Sequence, residues 1–297
     1  IPCLNVLGQI SLVLDQKDKA EWYIEKAIKI GLDTFGDQNP TVAFNYTLLG
    51  RIHETNGEYK TAIHCFEEAL RIYENHHISD SNVVFCYSCL GYTYFSIGEY
   101  DSATKYYKKA EKVFLDNEAS EDEGISTIYT QLGLLHEAKG EYDKSIFYHK
   151  KSMKLELDLY GPKHPKVGAT FNNLGLAYLS KADFEKAYDY FQKDLNIQLE
   201  AFGEDHSSVG TIYNNIGNVL EEKGEIDNAI LHYKKALNIG IESLGPTHKD
   251  VADRYNNLGV INDKLGNYDN AILYYKKALD IEIENLGSCH PSIAITY

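Results

Sequence analysis

Apolar residues recur along nearly the whole chain at the three- and four-residue spacing of amphipathic helices. In "VINDKLGNYDNAILYYKKAL" at 260–279 the polar positions fall on the opposite face. Glycines at 8, 50, 91, 133, 175, 217 and 259 punctuate these runs at intervals of 42 residues, with one step of 41. Seven residues after most of them comes a turn, "NGEY" ending at Tyr59, "IGEY" at Tyr100, "KGEY" at Tyr142, "KGEI" at Ile226 and "LGNY" at Tyr268; "KADF" ending at Phe184 and "DQK" at 15–17 deviate. Small residues then follow at Ala20, Ala62, Ala103, Ser145, Ala187, Ala229 and Ala271, and again at Ala27, Ala69, Ala110, Ser152, Ala236 and Ala278. Each period therefore predicts two helices joined by a tight turn, with small side chains where the helices approach each other.

The order aromatic, Leu-Gly, turn glycine, Ala, aromatic, Ala resembles the tetratricopeptide repeat over essentially the whole chain. That repeat is usually about 34 residues long. The longer period here, with bridges "FGDQNPTV" from Phe35, "YGPKHPKV" from Tyr160, "FGEDHSSV" from Phe202, "LGPTHKDV" from Leu244 and "LGSCHPSI" from Leu286, is similar to the form found in kinesin light chains. The resemblance implies an all-α, right-handed superhelical solenoid of helix-turn-helix repeats spanning 1–297. Its repeats are 1–42, 43–83, 84–125, 126–167, 168–209, 210–251 and 252–293, and an eighth begins at 294–297. In the bridges, Gly suits a left-handed helix cap, and His or Asn suits the N-cap of the next helix. His164, His206, His248 and His290 are thus read as helix starters and not as metal ligands. The bridges "NHHISDSN" and "NEASEDEG" lack the motif, which predicts local irregularity.

In this family first helices line the concave face, so the resemblance implies that positions two, five, six, nine, twelve and thirteen of each unit point into the groove. Positions five and six carry Asn172 and Asn173, Asn214 and Asn215, and Asn256 and Asn257, and position nine adds Asn218. Each Asn inside a helix costs up to about 0.7 kcal/mol relative to Ala, which calls for a reason. A side-chain amide matches the alternating C=O and N–H of an extended peptide, so this row is expected to hold a partner's backbone. The same amides could instead bond the neighbouring repeat and stiffen the stack. Toward the N-terminus, Arg51, Phe85, Tyr92 and Phe95 predict an apolar lining with one cation, suited to a large apolar side chain. The carboxylate clamp of the chaperone-binding members needs Lys or Arg at position two, where this chain has Pro2, Phe44, Phe85, Thr127, Ala169, Thr211 and Asp253.

A net charge of −15 argues against nucleic-acid or anionic-membrane partners, which require clustered cations. Five cysteines include one close pair, Cys86 and Cys89, with neither a zinc-ligand pattern nor a disulfide framework, so a reduced, cytoplasmic setting is expected. No apolar run suits a membrane span and no leader is evident. No nucleophile and base, phosphate loop or ligand cluster stands outside repeat-determined positions, so no catalysis, cofactor or metal is expected. The expected function is a scaffold that binds a protein or peptide partner. The alternative is a structural or autoinhibited solenoid whose groove is filled by its own flanking segment or by self-assembly through uncapped ends. The chain starts and stops inside repeat helices, so it reads as a fragment of a longer protein. Asp194 occupies a small-residue slot where a buried acid is costly; Lys150 or Lys151 is the expected partner, unless that repeat opens locally.

Overall fold

The computed structural model describes residues 1–116 and 123–286, apart from the side chains of Glu123 and Leu286. His290, the bridge from Leu286 and the start of the eighth repeat lie outside the described residues, as does most of "NEASEDEG". Among the described residues all regular structure is α-helical, in tandem helix-turn-helix pairs. The chain divides into two compact units, Ile1–Glu141 and Tyr142–Tyr297. The first holds α1 (Pro2–Val13), α2 (Lys17–Phe35), α3 (Pro40–Thr55), α4 (Tyr59–Asn75), α5 (Ser81–Ser96), α6 (Tyr100–Asp116) and α7 (Glu123–Ala138). The second holds α8 (Tyr142–Tyr160), α9 (Pro165–Ser180), α10 (Phe184–Phe202), α11 (Ser207–Glu222), α12 (Ile226–Leu244), α13 (Lys249–Lys264) and α14 (Tyr268–Leu286). Within each unit helices pack chiefly on neighbours in sequence and, less extensively, on the helix after next.

The repeat glycines are demanded by close approach. A Cβ on Gly50 would sit 2.6 Å from the Phe66 ring, and one on Gly175 would sit 2.5 Å from the Phe191 ring. Both rings are fully buried, so α3 and α9 rest directly on the aromatic residue of their own second helices, while Gly8 of α1 faces Ile24 instead. Around these contacts the first unit packs Ile24, Leu48, Leu49 and Ile52. The second packs Leu174, Phe191, Ile216, Tyr233 and Leu258.

The turns between paired helices put Gly57, Gly98, Gly140, Gly224 and Gly266 at positive φ. The two deviating turns adopt the same conformation without glycine, at Asp15 (φ 55°) and Ala182 (φ 61°). The bridge glycines correct one expectation. Gly36, Gly203 and Gly245 have φ of 83°, 84° and 92° but ψ of 172°, 177° and 156°. This is the extended positive-φ region that essentially only glycine occupies, not the left-handed helical cap. Second helices that lead into such a bridge, α2, α8, α10 and α12, run 19 residues; α4 and α6, whose bridges lack it, run 17.

Each of the five bridges among the described residues then restarts a helix with a side-chain cap. Asn39 Oδ1 accepts from Thr41 N–H at 2.9 Å. His164, His206 and His248 accept through Nδ1 from Lys166, Ser208 and Asp250 N–H, each at 3.2 Å. Asp80 does the same for α5 in the irregular bridge, accepting from Asn82 and Val83. His164, His206 and His248 are helix starters, as their spacing implied.

Candidate functional site

In the first unit, first helices α3, α5 and α7 enclose a cleft of about 400 Å³ lined by Arg51, Glu54, Phe85, Ser88, Cys89, Tyr92 and Gln131, among others. Phe85 and Tyr92 are 36% and 46% exposed, large apolar surface left open to water. The Arg51 guanidinium lies over the Phe85 ring, 5.3 Å from its centroid, and forms no ion pair with a described residue. Burial raises the Glu54 carboxyl above its usual range, against a hydrogen bond from Thr93 and the charge of Arg51. Tyr107 O–H reaches Gln131 Oε1 at 3.4 Å on the far wall. Burial pushes the Cys89 thiol well up, which leaves it inert as a nucleophile. Of the four residues read from sequence, Arg51, Phe85 and Tyr92 meet here. Phe95 does not line the cleft; it lies at the C-terminal end of α5 and packs against Tyr100 with centroids 5.8 Å apart.

In the second unit the asparagines form links between repeats. Asn215 Nδ2 donates to Asn172 Oδ1 at 2.8 Å, and Asn257 Nδ2 donates to Asn214 Oδ1 at 2.8 Å. Position six of one repeat therefore bonds position five of the repeat before it. Each link consumes one donor and one acceptor, leaving both N–H groups of Asn172 and Asn214 and the carbonyl oxygens of Asn215 and Asn257. Asn172, Asn173, Asn214, Asn256 and Asn257 are half-buried and Asn215 is buried. Asn218 joins a separate network: Tyr233 O–H lies 2.8 Å from Asn218 Oδ1 and 2.7 Å from Glu221 Oε2, and Glu221 pairs with Lys264 at 2.6 Å. Asn256 reaches toward Glu282 of α14 at 3.4 Å.

Beneath this row the seams between repeats bury groups whose roles the sequence reading did not identify. Glu156 receives hydrogen bonds from Thr170 at 2.5 Å and Ser152 at 3.2 Å. Arg254, 3% exposed, donates from Nη1 to Ala236 O at 2.8 Å and fills space left by Gly210 and Gly240. Gly240, standing where the repeats on either side carry Gln198 and Glu282, was the available signal, although the first repeat also has a glycine there, Gly31. Asp194 is bonded by Gln198 of its own helix at 3.1 Å and not by a lysine. Lys150 instead lies over Tyr178 and Lys151 over Phe147, since both start a full repeat away on α8. Among the described residues no group of His, Cys, Asp and Glu is placed to hold a metal, and no helix is long and apolar enough to cross a membrane.

Comparison with known proteins now defines the class. The tetratricopeptide repeat model matches residues 3–75, 124–200, 169–242 and 208–282, and a second model of that repeat matches 87–117. The chain belongs to the tetratricopeptide repeat family. A search of curated sequences finds no match. Among solved structures the chain is similar to the apo form of RapI, at 18% identity and a TM-score of 0.74 over 98% of this chain and 77% of that one. It is also similar to BtubC (BKLC) from P. vanneervenii, at 22% identity and a TM-score of 0.63 over 80% of this chain and 93% of that one. A putative kinesin light chain with TPR-like repeats from Podosopora anserina matches at 15% identity and a TM-score of 0.57, over 68% of this chain and 96% of that one. At these identities the likeness is one of fold.

Proposed function

We infer that this chain captures an extended segment of a partner protein along its first helices. Repeat solenoids present extended binding surfaces of this kind, and the family is generally one of protein-interaction scaffolds. The observation that carries the reading is the cleft of the first unit, where Phe85 and Tyr92 stay exposed beside an Arg51 that forms no ion pair with a described residue. Exposed aromatics in a concave site with few polar groups supply the anchor contacts that dominate recognition. The cleft takes one large apolar side chain, and Arg51 orients a polar group beside it. In the second unit the half-buried amides, with the capacity left over from their links, form a separate surface suited to extended backbone.

The test is a randomised peptide array probed with the wild-type chain and with the Phe85→Ala, Tyr92→Ala double variant. Selected peptides are expected to share a large apolar residue and to lose roughly tenfold or more in affinity for the variant, the scale of an interface hot spot. Equal binding of both proteins to the selected peptides would reject the cleft as the anchor.

A further inference from the structure

The amide row of the second unit shares its face with carboxylates. Lys264 Nζ on α13 reaches Glu221 on α11 at 2.6 Å, just as Asn257 on α13 reaches Asn214 on α11. Both bonds join the same two first helices on the same side, so the last turns of α11 and α13 border the amides. Glu222 is the repeat counterpart of Lys264, and Asp263 that of Glu221, each 42 residues away; both therefore lie on this face. Glu222 follows Asn215, and Asp263 follows Asn256, by seven residues, which is two helical turns or about 10 Å.

Charge on this face does not balance. Lys264 is committed to Glu221, whose other oxygen accepts from Tyr233. Glu222, Asp263 and Asp253, the last a turn before Asn256 and Asn257, are exposed and form no ion pair with a described residue. Helix C-termini favour cations, yet α11 has no basic residue in its last turn and α13 has only Lys264. Neighbouring phenols register the excess. Burial raises Tyr233, and Glu221 and Glu222 raise it further; Asp263 adds to burial at Tyr275.

The amides supply a separate pointer to a ligand. Asn215 is 8% exposed, and its Nδ2 donates across the face to Asn172, while its Oδ1 accepts from no described residue. A largely buried carbonyl oxygen left without a protein donor is a place for a partner's N–H. The geometry points to an extended basic segment of a partner protein as the occupant of this face. Its backbone pairs with the amides, and its Lys or Arg side chains run along α11 and α13 to Glu222 and Asp263. The span of about 10 Å from row to carboxylates suits a cation on a long flexible stem and is too wide for Ser or Asn. An acidic segment would meet three unpaired carboxylates. This assignment deepens the reading of the amide row and is independent of the cleft in the first unit.

The test probes the randomised peptide array with the Phe85→Ala, Tyr92→Ala variant, in which that cleft is disabled, alone and combined with Glu222→Gln and Asp263→Asn. Peptides held by the cleft variant are expected to be enriched in Lys and Arg over Asp and Glu. Adding the two second-unit substitutions should weaken them roughly tenfold, the scale of two charge-assisted hydrogen bonds. Asp227→Asn with Asp269→Asn removes the same charge from α12 and α14 and should leave affinity within about twofold, because distant exposed charges are screened. An equal loss in this control would report attraction to net charge and overturn the proposal. So would retained peptides without an excess of Lys and Arg, affinity unchanged by Glu222→Gln and Asp263→Asn, or no retained peptide at all. Failure of the cleft reading shows separately, as equal binding by wild type and the Phe85→Ala, Tyr92→Ala variant.

Discussion

At Ala182 a non-glycine residue holds φ at 61° in a turn that five other repeats close with glycine. The left-handed conformation costs an L-residue roughly 1–2 kcal/mol. Ala182→Gly should therefore raise stability by about 1 kcal/mol, less whatever entropy glycine adds to the unfolded chain. A urea melt checks this, and a lower midpoint would show that the turn is not strained. Asp194 supplies a second residue-scale test. Its folded carboxyl is raised to about 7, against roughly 3.9 for an unfolded Asp. Between those values the folded state holds a proton that the unfolded state has released, so stability falls as pH rises through the window and is lowest above it. The difference amounts to no more than about 4 kcal/mol, at 1.36 kcal/mol per pH unit. Asp194→Ala, which restores the residue found at Ala27, Ala69, Ala110, Ala236 and Ala278, should flatten the slope between about pH 4 and 7 and stabilise most at the alkaline end. A slope unchanged from wild type would locate the titration elsewhere. Asp194 was legible in the sequence as an anomaly, yet its partner was not. Gln198 lies one turn away on the same helix, while the expected lysines answer to tyrosine and phenylalanine rings.

The helices themselves were legible because glycine, alanine and aromatic positions each repeat with the same period, so every element is specified several times over. The asparagine row was legible as a row and only half legible as chemistry. A bond from Asn215 to Asn172 or from Asn257 to Asn214 spans 43 residues. It becomes visible only once consecutive first helices are laid side by side, and the sequence alone favoured ligand contact over repeat links. The links predict measurable coupling. In a double-mutant cycle of Asn172→Ala and Asn215→Ala, each substitution gains helix propensity of up to about 0.7 kcal/mol and breaks a bond worth about 1 kcal/mol. The single variants should thus stay close to wild type in stability, while the interaction energy between the sites reaches about 1 kcal/mol. A cycle that closes to zero would mean the bond is not formed in solution and the amides are wholly free for a ligand.

No break in the repeat pattern marks the division into Ile1–Glu141 and Tyr142–Tyr297, which falls between the two helices of the fourth repeat. The glycine series runs through that point unchanged and the small-residue series continues with Ser145 and Ser152 in place of alanine, because both encode contacts within a repeat and between neighbours. What the pattern does fix is the linear character of the assembly: within each unit substantial contacts join helices no further apart than the next but one. Stability of such an array is approximately a sum of repeat and nearest-neighbour terms. Ending the chain after Val251, at a repeat boundary, should therefore remove α13 and α14 and leave the remaining helices folded at a lower melting midpoint. Losing Arg254 in this way is milder than stripping it of partners. Its guanidinium leaves together with its repeat, and the space at Gly210 and Gly240 opens to water without stranding a buried charge. Circular dichroism of the shortened chain should show undiminished helicity per residue in the cold and an earlier transition on heating. Collapse of the helical signal at all temperatures would show instead that the second unit folds as an indivisible whole and that the nearest-neighbour description fails.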